Sequence, residues 1–259
     1  MVIVWTTLLA LIFLPLYKKF LFYIGSIQYN YQKKLIPVSF GLYILFVETI
    51  VLLMFDRDYN WSYMVAFFII TIVGTIDDFY GDPRIKGLSG HIRAFFAGKI
   101  TTGLLKAIVG GWIALFLGFF IGQDIIESLT IFLLILLMIN MINLFDLRPG
   151  RALKVFFLFY FGLSISTPFL FIGNLALISL SILLIVFYHD LRGKIMLGDS
   201  GANLIGLHLG LWYSLYLSLS WQWLMIIVLI LLHVYTERHS LSDLIEKNKL
   251  LKKIDLWGR

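Results

Sequence analysis

Cysteine is absent from the chain, which removes disulfides and thiolate chemistry and leaves the redox compartment undetermined. Proline is scarce, five in 259 residues, and polar linkers are short, so no sizeable soluble domain fits beside the apolar segments. Charge is scarce too. Asp, Glu, Lys and Arg make up 14% of residues against 60% hydrophobic, a balance that a soluble domain of this length cannot bury. The apolar stretches run on without alternating with polar residues, which excludes a membrane β-barrel. What remains is an all-α, polytopic membrane helical bundle.

Reading apolar runs of roughly 17–25 residues as spans gives about nine transmembrane helices. They cover residues 2–17, 36–54, 61–76, 101–121, 125–145, 153–171, 174–188, 202–219 and 221–235, with a turn at 171–174 dividing two of them. Residues 1–235 form one transmembrane domain and 236–259 a basic tail. No basic residue precedes the first span, and Lys18 and Lys19 follow it, the reverse of a secretory signal, so this helix is expected to be retained. Lys and Arg then fall in alternate loops: Lys33 and Lys34, Arg84 to Lys99, Arg148 to Lys154, Arg192 and Lys194, and the tail. The opposite loops hold Asp56, Arg57, Asp58, Asp124 and Glu127. The positive-inside rule therefore places the N-terminus outside and the C-terminus inside. In the tail, Leu241, Leu244, Ile245, Leu251 and Ile254 form a rough stripe opposite Glu246, Lys247, Lys249 and Lys253, which reads as a helix on the inner leaflet or as a solvated tail.

The residues that carry chemistry sit at the cytoplasmic helix ends. Asp77 and Asp78 close the apolar run that begins at Met64, and two adjacent carboxylates at a bilayer boundary need a cation or donors beside them unless that helix end has simply reached water. Asn140, Asn143 and Asp146 recur at steps of three, each step turning about 60° on a helix, which predicts that they line one sector facing into the bundle. The amides suit helix–helix hydrogen bonds; an ionisable Asp146 there calls for a charge partner. Gly198-Asp199-Ser200-Gly201 opens a helix with small residues, which suits a bound phosphate at free N–H groups or an ordinary capped helix start. Asp77, Asp78, Asp146 and Asp199, gathered among Lys and Arg at one membrane surface, predict a hard-cation site of the kind Mg²⁺ shares with phosphates. Glu48, within the second span, is either a buried packing residue or part of a cavity wall. A transporter is disfavoured, because the ionisable groups lie at helix ends and not at mid-membrane.

In this order these stretches resemble the polyprenyl-phosphate N-acetylhexosamine-1-phosphate transferase family, which includes the bacterial translocase that makes lipid I and the enzymes that start teichoic acid and O-antigen synthesis. The family's paired Asp motif matches Asp77-Asp78-Phe79-Tyr80-Gly81, its Asn-x-x-Asn-x-x-Asp matches Asn140, Asn143 and Asp146, and its Gly-Asp-x-Gly matches Gly198, Asp199 and Gly201. Lys34-Leu35-Ile36-Pro37 is similar to the family's first cytoplasmic loop, and the likeness runs from about Lys33 to Gly210. It implies transfer of a sugar-1-phosphate from a UDP-N-acetylhexosamine to undecaprenyl phosphate, releasing UMP, for cell-envelope polymers at a bacterial plasma membrane. It also implies Mg²⁺, with Mn²⁺ as a substitute, a homodimer, and no nucleic-acid partner.

On that likeness Asp199 is the main metal ligand with Asp146 assisting, Asp77 or Asp78 orients or deprotonates the lipid phosphate, and which Asp is base stays open. Lys34, Asn140, Asn143, Gly198 and Ser200 belong to the expected substrate site. Arg93 and Lys99, with His91, would hold the diphosphate or simply set topology. Arg148, Arg151 and Lys154 stand where further phosphate contacts are expected. The chain departs from the pattern where Pro149 replaces the family's second Asp, where the His-rich loop has no counterpart, and where the basic tail stands in place of a tenth span. Those departures keep a second reading in view: a relative that binds polyprenyl lipid or cell-wall partners without turnover.

Overall fold

The computed structural model describes every residue except 57, 83, 84, 86, 168–172 and 259, together with all side chains but those of 87–89, 91 and 92 among the described residues. The chain is all-α apart from one hairpin. Its order is α1 (Val2–Tyr23), β1 (Ile27–Tyr29), β2 (Leu35–Pro37), α2 (Gly41–Phe55), α3 (Trp61–Tyr80), α4 (Gly87–Phe96), α5 (Thr102–Ile121), α6 (Ile125–Phe145), α7 (Arg151–Ser166), α8 (Asn174–Leu191), α9 (Gly198–Tyr216), α10 (Leu219–Arg238), α11 (Leu241–Lys247) and α12 (Lys249–Leu256). Among the described residues, six helices are long and apolar enough to cross a bilayer: α1, α3, α5, α6, α8 and α10. Their outward faces carry large exposed apolar side chains, such as Leu8, Phe68, Phe116, Ile126 and Leu231, as a lipid-facing surface requires.

The helix most enclosed by its neighbours is α9. Every residue from Ser200 to Ser214 is buried, and α2, α3, α6 and α7 surround it. A helix buried all round has no need of a polar face. Yet α9 is not among the most apolar helices, because close approach here depends on small residues. A Cβ built on Gly206 would lie 2.7 Å from Cα of Ile139, and one on Gly210 would lie 2.8 Å from Cα of Ile135. Glycine four residues apart thus lets α6 lie backbone against backbone on α9, the usual way helices associate where lipid removes the hydrophobic drive between them. Gly206→Val is therefore expected to cost about 2 kcal/mol by overpacking, seen as a lower melting temperature of detergent-purified protein. An unchanged melting temperature would mean that the two backbones are not so close.

Several boundaries differ from the expected ones. The first helix continues to Tyr23 and so carries Lys18 and Lys19 within it. The apolar stretch at Leu35–Pro37 is not the start of a span. It pairs antiparallel with Ile27–Tyr29, since the residue before a proline favours extended backbone, and α2 begins only at Gly41. Asp77 and Asp78 lie in the last turn of α3, not beyond it. The turn placed at 171–174 falls largely outside the described residues; α8 opens at Asn174. The tail, expected to share one stripe, is two helices broken at Asn248, whose side chain caps α12.

The two ends of the bundle differ in charge. Asn174 donates to Asp56 (3.1 Å) at the end where α2 finishes and α8 starts. At the other end α3, α6 and α8 finish, α5, α7 and α9 start, and Lys18, Arg192 and Lys194 cluster around His189.

Candidate functional site

At that second end, Asp77, Asp78, Lys106, Asp146, Gly198 and Asp199 share one cavity of about 330 Å³, walled also by Gln28, Val38 and Met196. Four helices deliver these groups. The last turn of α3 brings the paired carboxylates, α9 brings Asp199 in its first turn, Asp146 caps the end of α6, and Lys106 rises from the first turns of α5.

The two adjacent carboxylates have different duties. Asp78 is spent on the protein: Oδ1 accepts the Asp199 N–H (2.7 Å), while Oδ2 accepts the Ser39 hydroxyl (2.6 Å) and the Ser200 N–H (3.1 Å). It therefore caps α9 from another helix, satisfying N–H groups that a helix start leaves without partners. Gly198 makes that approach possible. Its φ is +71°, and a Cβ there would sit 2.7 Å from the Asp78 carboxylate. Asp77 points to the cavity, where Oδ1 accepts the Thr102 hydroxyl (2.5 Å) and Oδ2 pairs with the Lys106 ammonium (2.7 Å). The same ammonium reaches Asp199 Oδ2 at 2.9 Å, so one cation bridges two carboxylates from different helices.

Asp146 lies between this cavity and a second one. Burial pushes its carboxyl well above the usual carboxylate range, and the Asp190, Asp199 and Asp78 carboxylates push in the same direction. The second cavity, about 240 Å³, shares Asp146 and Met196 with the first and is walled by Tyr29 and Tyr31 of the hairpin, Arg148, Pro149 and Asp190. Asp190 accepts the Gly150 N–H at 2.8 Å, which fixes the loop after α6.

Among the other expected site residues, Gly198 lines the first cavity and Arg148 the second, whereas several turn elsewhere. Asn140 is exposed, because two steps of three residues rotate the direction by about 120° and carry it out of the sector held by Asp146. Asn143 turns inward and donates to the Asn203 side-chain Oδ1 on α9 and to the Ile139 backbone carbonyl, which makes it a helix–helix tie. Ser200 is fully buried, and its hydroxyl accepts the Gly41 N–H (3.2 Å), joining α9 to α2 and not facing substrate. Lys34, Arg93 and Lys99 are exposed and line neither cavity, and the side chain of His91 lies outside the described residues.

Arg151 and Lys154 are corrected most sharply. Arg151, 5% exposed, makes a two-pronged ion pair with Asp255 (2.8 and 3.0 Å) and donates to Ser242 (3.1 Å). Lys154 donates to the carbonyls of Ile254, Asp255 and Trp257 at 2.7–2.9 Å. Both therefore hold the tail and not a phosphate. Arg151→Ala should leave substrate affinity unchanged and make residues 240–258 the first site of limited proteolysis; a raised KM with an intact tail would reverse this assignment.

Lys106 is the group that the sequence reading passed over. A lone ionisable residue five positions after Thr101, in a helix otherwise apolar to Ile121, is itself a signal, since charge inside a span is expensive and is kept for a partner. The division of labour in the aspartate pair also predicts a contrast. Asp78→Ala should cost about 2 kcal/mol of stability through the lost cap and unpaired buried donors. Thermal unfolding reads it, and a variant as stable as the parent would show that Asp78 is not a structural cap.

No protein-family model matches the sequence, and no curated protein matches it.

Proposed function

We propose that the chain is a polyprenyl-phosphate sugar-1-phosphate transferase, with nine spans, the N-terminus outside, and the aspartate cavity at the cytoplasmic face of a bacterial plasma membrane. One observation carries this reading: Asp77, Asp146, Asp199 and Lys106, from four helices, meet in one cavity at the bundle end where basic residues gather. A lipid phosphate lies at the headgroup plane, so its acceptor chemistry has to occur at helix ends of this kind.

In the reaction, an oxygen of undecaprenyl phosphate attacks the sugar-bearing phosphorus of the UDP-N-acetylhexosamine. The bond from that phosphorus to the bridging oxygen breaks, and UMP leaves with the electron pair. The lipid phosphate is already largely ionised near neutral pH, so positioning and charge neutralisation are the main demands. Lys106 supplies a fixed positive charge at the cavity wall. Asp77, whose carboxylate reaches the cavity, is the member of the pair available to orient the lipid phosphate, because Asp78 is committed to the start of α9. Arg148, Tyr29 and Tyr31 give the second cavity a cation and aromatic faces suited to a nucleotide.

The donor set suits a hard divalent ion. The cavity presents carboxylate oxygens, and Mg²⁺ is commonly held through one or two carboxylates, with substrate phosphates and water completing its shell. Among the described residues, no three His, Cys, Asp or Glu side chains group closely enough to hold a metal ion by themselves, so the ion would rest on two carboxylates and on substrate phosphates. Asp199 and Asp146 would hold Mg²⁺, or Mn²⁺, which would supply neutralisation of phosphate charge.

The second reading, a member that binds polyprenyl lipid without turnover, rests on Pro149, which stands in the second cavity where the related family has an Asp. The purified protein with Mg²⁺, undecaprenyl phosphate and a panel of UDP-sugars separates the two. UMP release with one donor supports the transferase; lipid binding without release from any donor supports the binding protein.

A further inference from the structure

The two helices of the tail present their apolar residues in opposite ways. In α11, Leu241 and Ile245 are buried. In α12 no residue is buried, and Leu250, Ile254 and Trp257 are 66%, 51% and 69% exposed. At 100° per residue, Leu250, Leu251, Ile254 and Trp257 fall within about 120° of one another, so they form one stripe. Lys249 and Lys253 border one edge of it, with exposed Lys252 beyond them. Asp255 borders the other edge and turns back to Arg151.

This helix is not a loose end. The ion pair between Asp255 and buried Arg151 and the three carbonyl bonds to Lys154 bind it to the start of α7. A Cβ on Gly258 would lie 3.1 Å from the Leu191 side chain at the end of α8. The helix therefore lies at the same end of the bundle as the aspartate cavity, with its apolar stripe exposed.

We propose that α12 is seated in the headgroup layer of an anionic leaflet. Its stripe enters the acyl boundary, its lysines face lipid phosphates, and the Arg151–Asp255 pair holds it from behind. The charge pattern selects this occupant: a protein surface would cover the stripe alone, whereas a cationic border beside an apolar face fits an anionic lipid surface. Because Arg151 directly follows the Arg148–Gly150 loop, the same seat braces the wall of the second cavity. The inference does not depend on the transferase reading.

Amide hydrogen exchange over residues 249–257, measured on the full chain in nanodiscs of phosphatidylcholine alone or with phosphatidylglycerol, tests it. Each lysine near an anionic surface adds severalfold to binding, so exchange should be about tenfold slower in the anionic discs. K249Q/K252Q/K253Q, which alters exposed side chains only, should remove that difference. Equal exchange in the two lipids overturns the proposal. So does protection that rises with protein concentration regardless of lipid, which would assign the stripe to a second copy of the chain.

Discussion

Asp199→Asn is expected to lower UMP release by about a thousandfold, the scale on which single members of a catalytic constellation act. The amide keeps the shape of the side chain and a hydrogen-bonding oxygen but loses the charge that a divalent ion and Lys106 both require. The fold should survive. Asp199 contributes its backbone N–H, not its carboxylate, to the cap made by Asp78, and Lys106 keeps Asp77 as a partner. Release rates from purified variant and parent, compared at equal melting temperature, provide the check. A variant that retains more than about a tenth of the parent rate would remove Asp199 from the reaction and leave it a structural ion-pair partner.

Lys106→Met is expected to show the second large effect, on stability and activity together. The ammonium sits 2.7 Å from Asp77 and 2.9 Å from Asp199, and the Lys106 and Asp77 side chains are 23% and 10% exposed. Removing it leaves two carboxylates facing one another in a partly dry site. Breaking a fully buried pair costs roughly 3–5 kcal/mol; screening at this cavity lowers the expectation to about 2 kcal/mol. A ligand that binds the folded state stabilises it, so added Mg²⁺ should restore the melting temperature of the variant more than it raises that of the parent. Activity should fall with the loss of the fixed positive charge. Equal stability of variant and parent, or no response to Mg²⁺ in either, would contradict the electrostatic account of the cavity.

The broad architecture was legible because lipid-facing helices must be long and continuously apolar, and those runs stand out as α1, α3, α5, α6, α8 and α10. Less legible was the rank of α9. Its glycines, Asn203 and His208 lower its hydropathy, yet it is the most enclosed helix of the chain. The hairpin was hidden because Leu35-Ile36 joins smoothly in composition to the span that follows, and the proline that divides them looks like part of an apolar run.

At the site, the convergence of Asp77, Asp146 and Asp199 was readable from their places at helix ends. The different fate of Asp78 was not, since its partners Ser39 and the α9 amides are remote in sequence. Arg151 shows the same limit: a cation close after Asp146 looks like a phosphate ligand until a tail carboxylate 104 residues away claims it. Asn140 failed for a simpler reason, because a step of three drifts steadily around a helix and two steps leave the inward sector.

The central claim is that Asp199 and Asp146 hold a divalent ion between two phosphorylated substrates, with the Asp77 carboxylate beside them in the same cavity. Electron paramagnetic resonance of Mn²⁺ added to the purified protein with a UDP-sugar tests it directly. The account predicts one bound Mn²⁺ per chain that Asp199→Asn abolishes and Asp77→Asn weakens. Mn²⁺ bound equally by the parent and by both variants would contradict it.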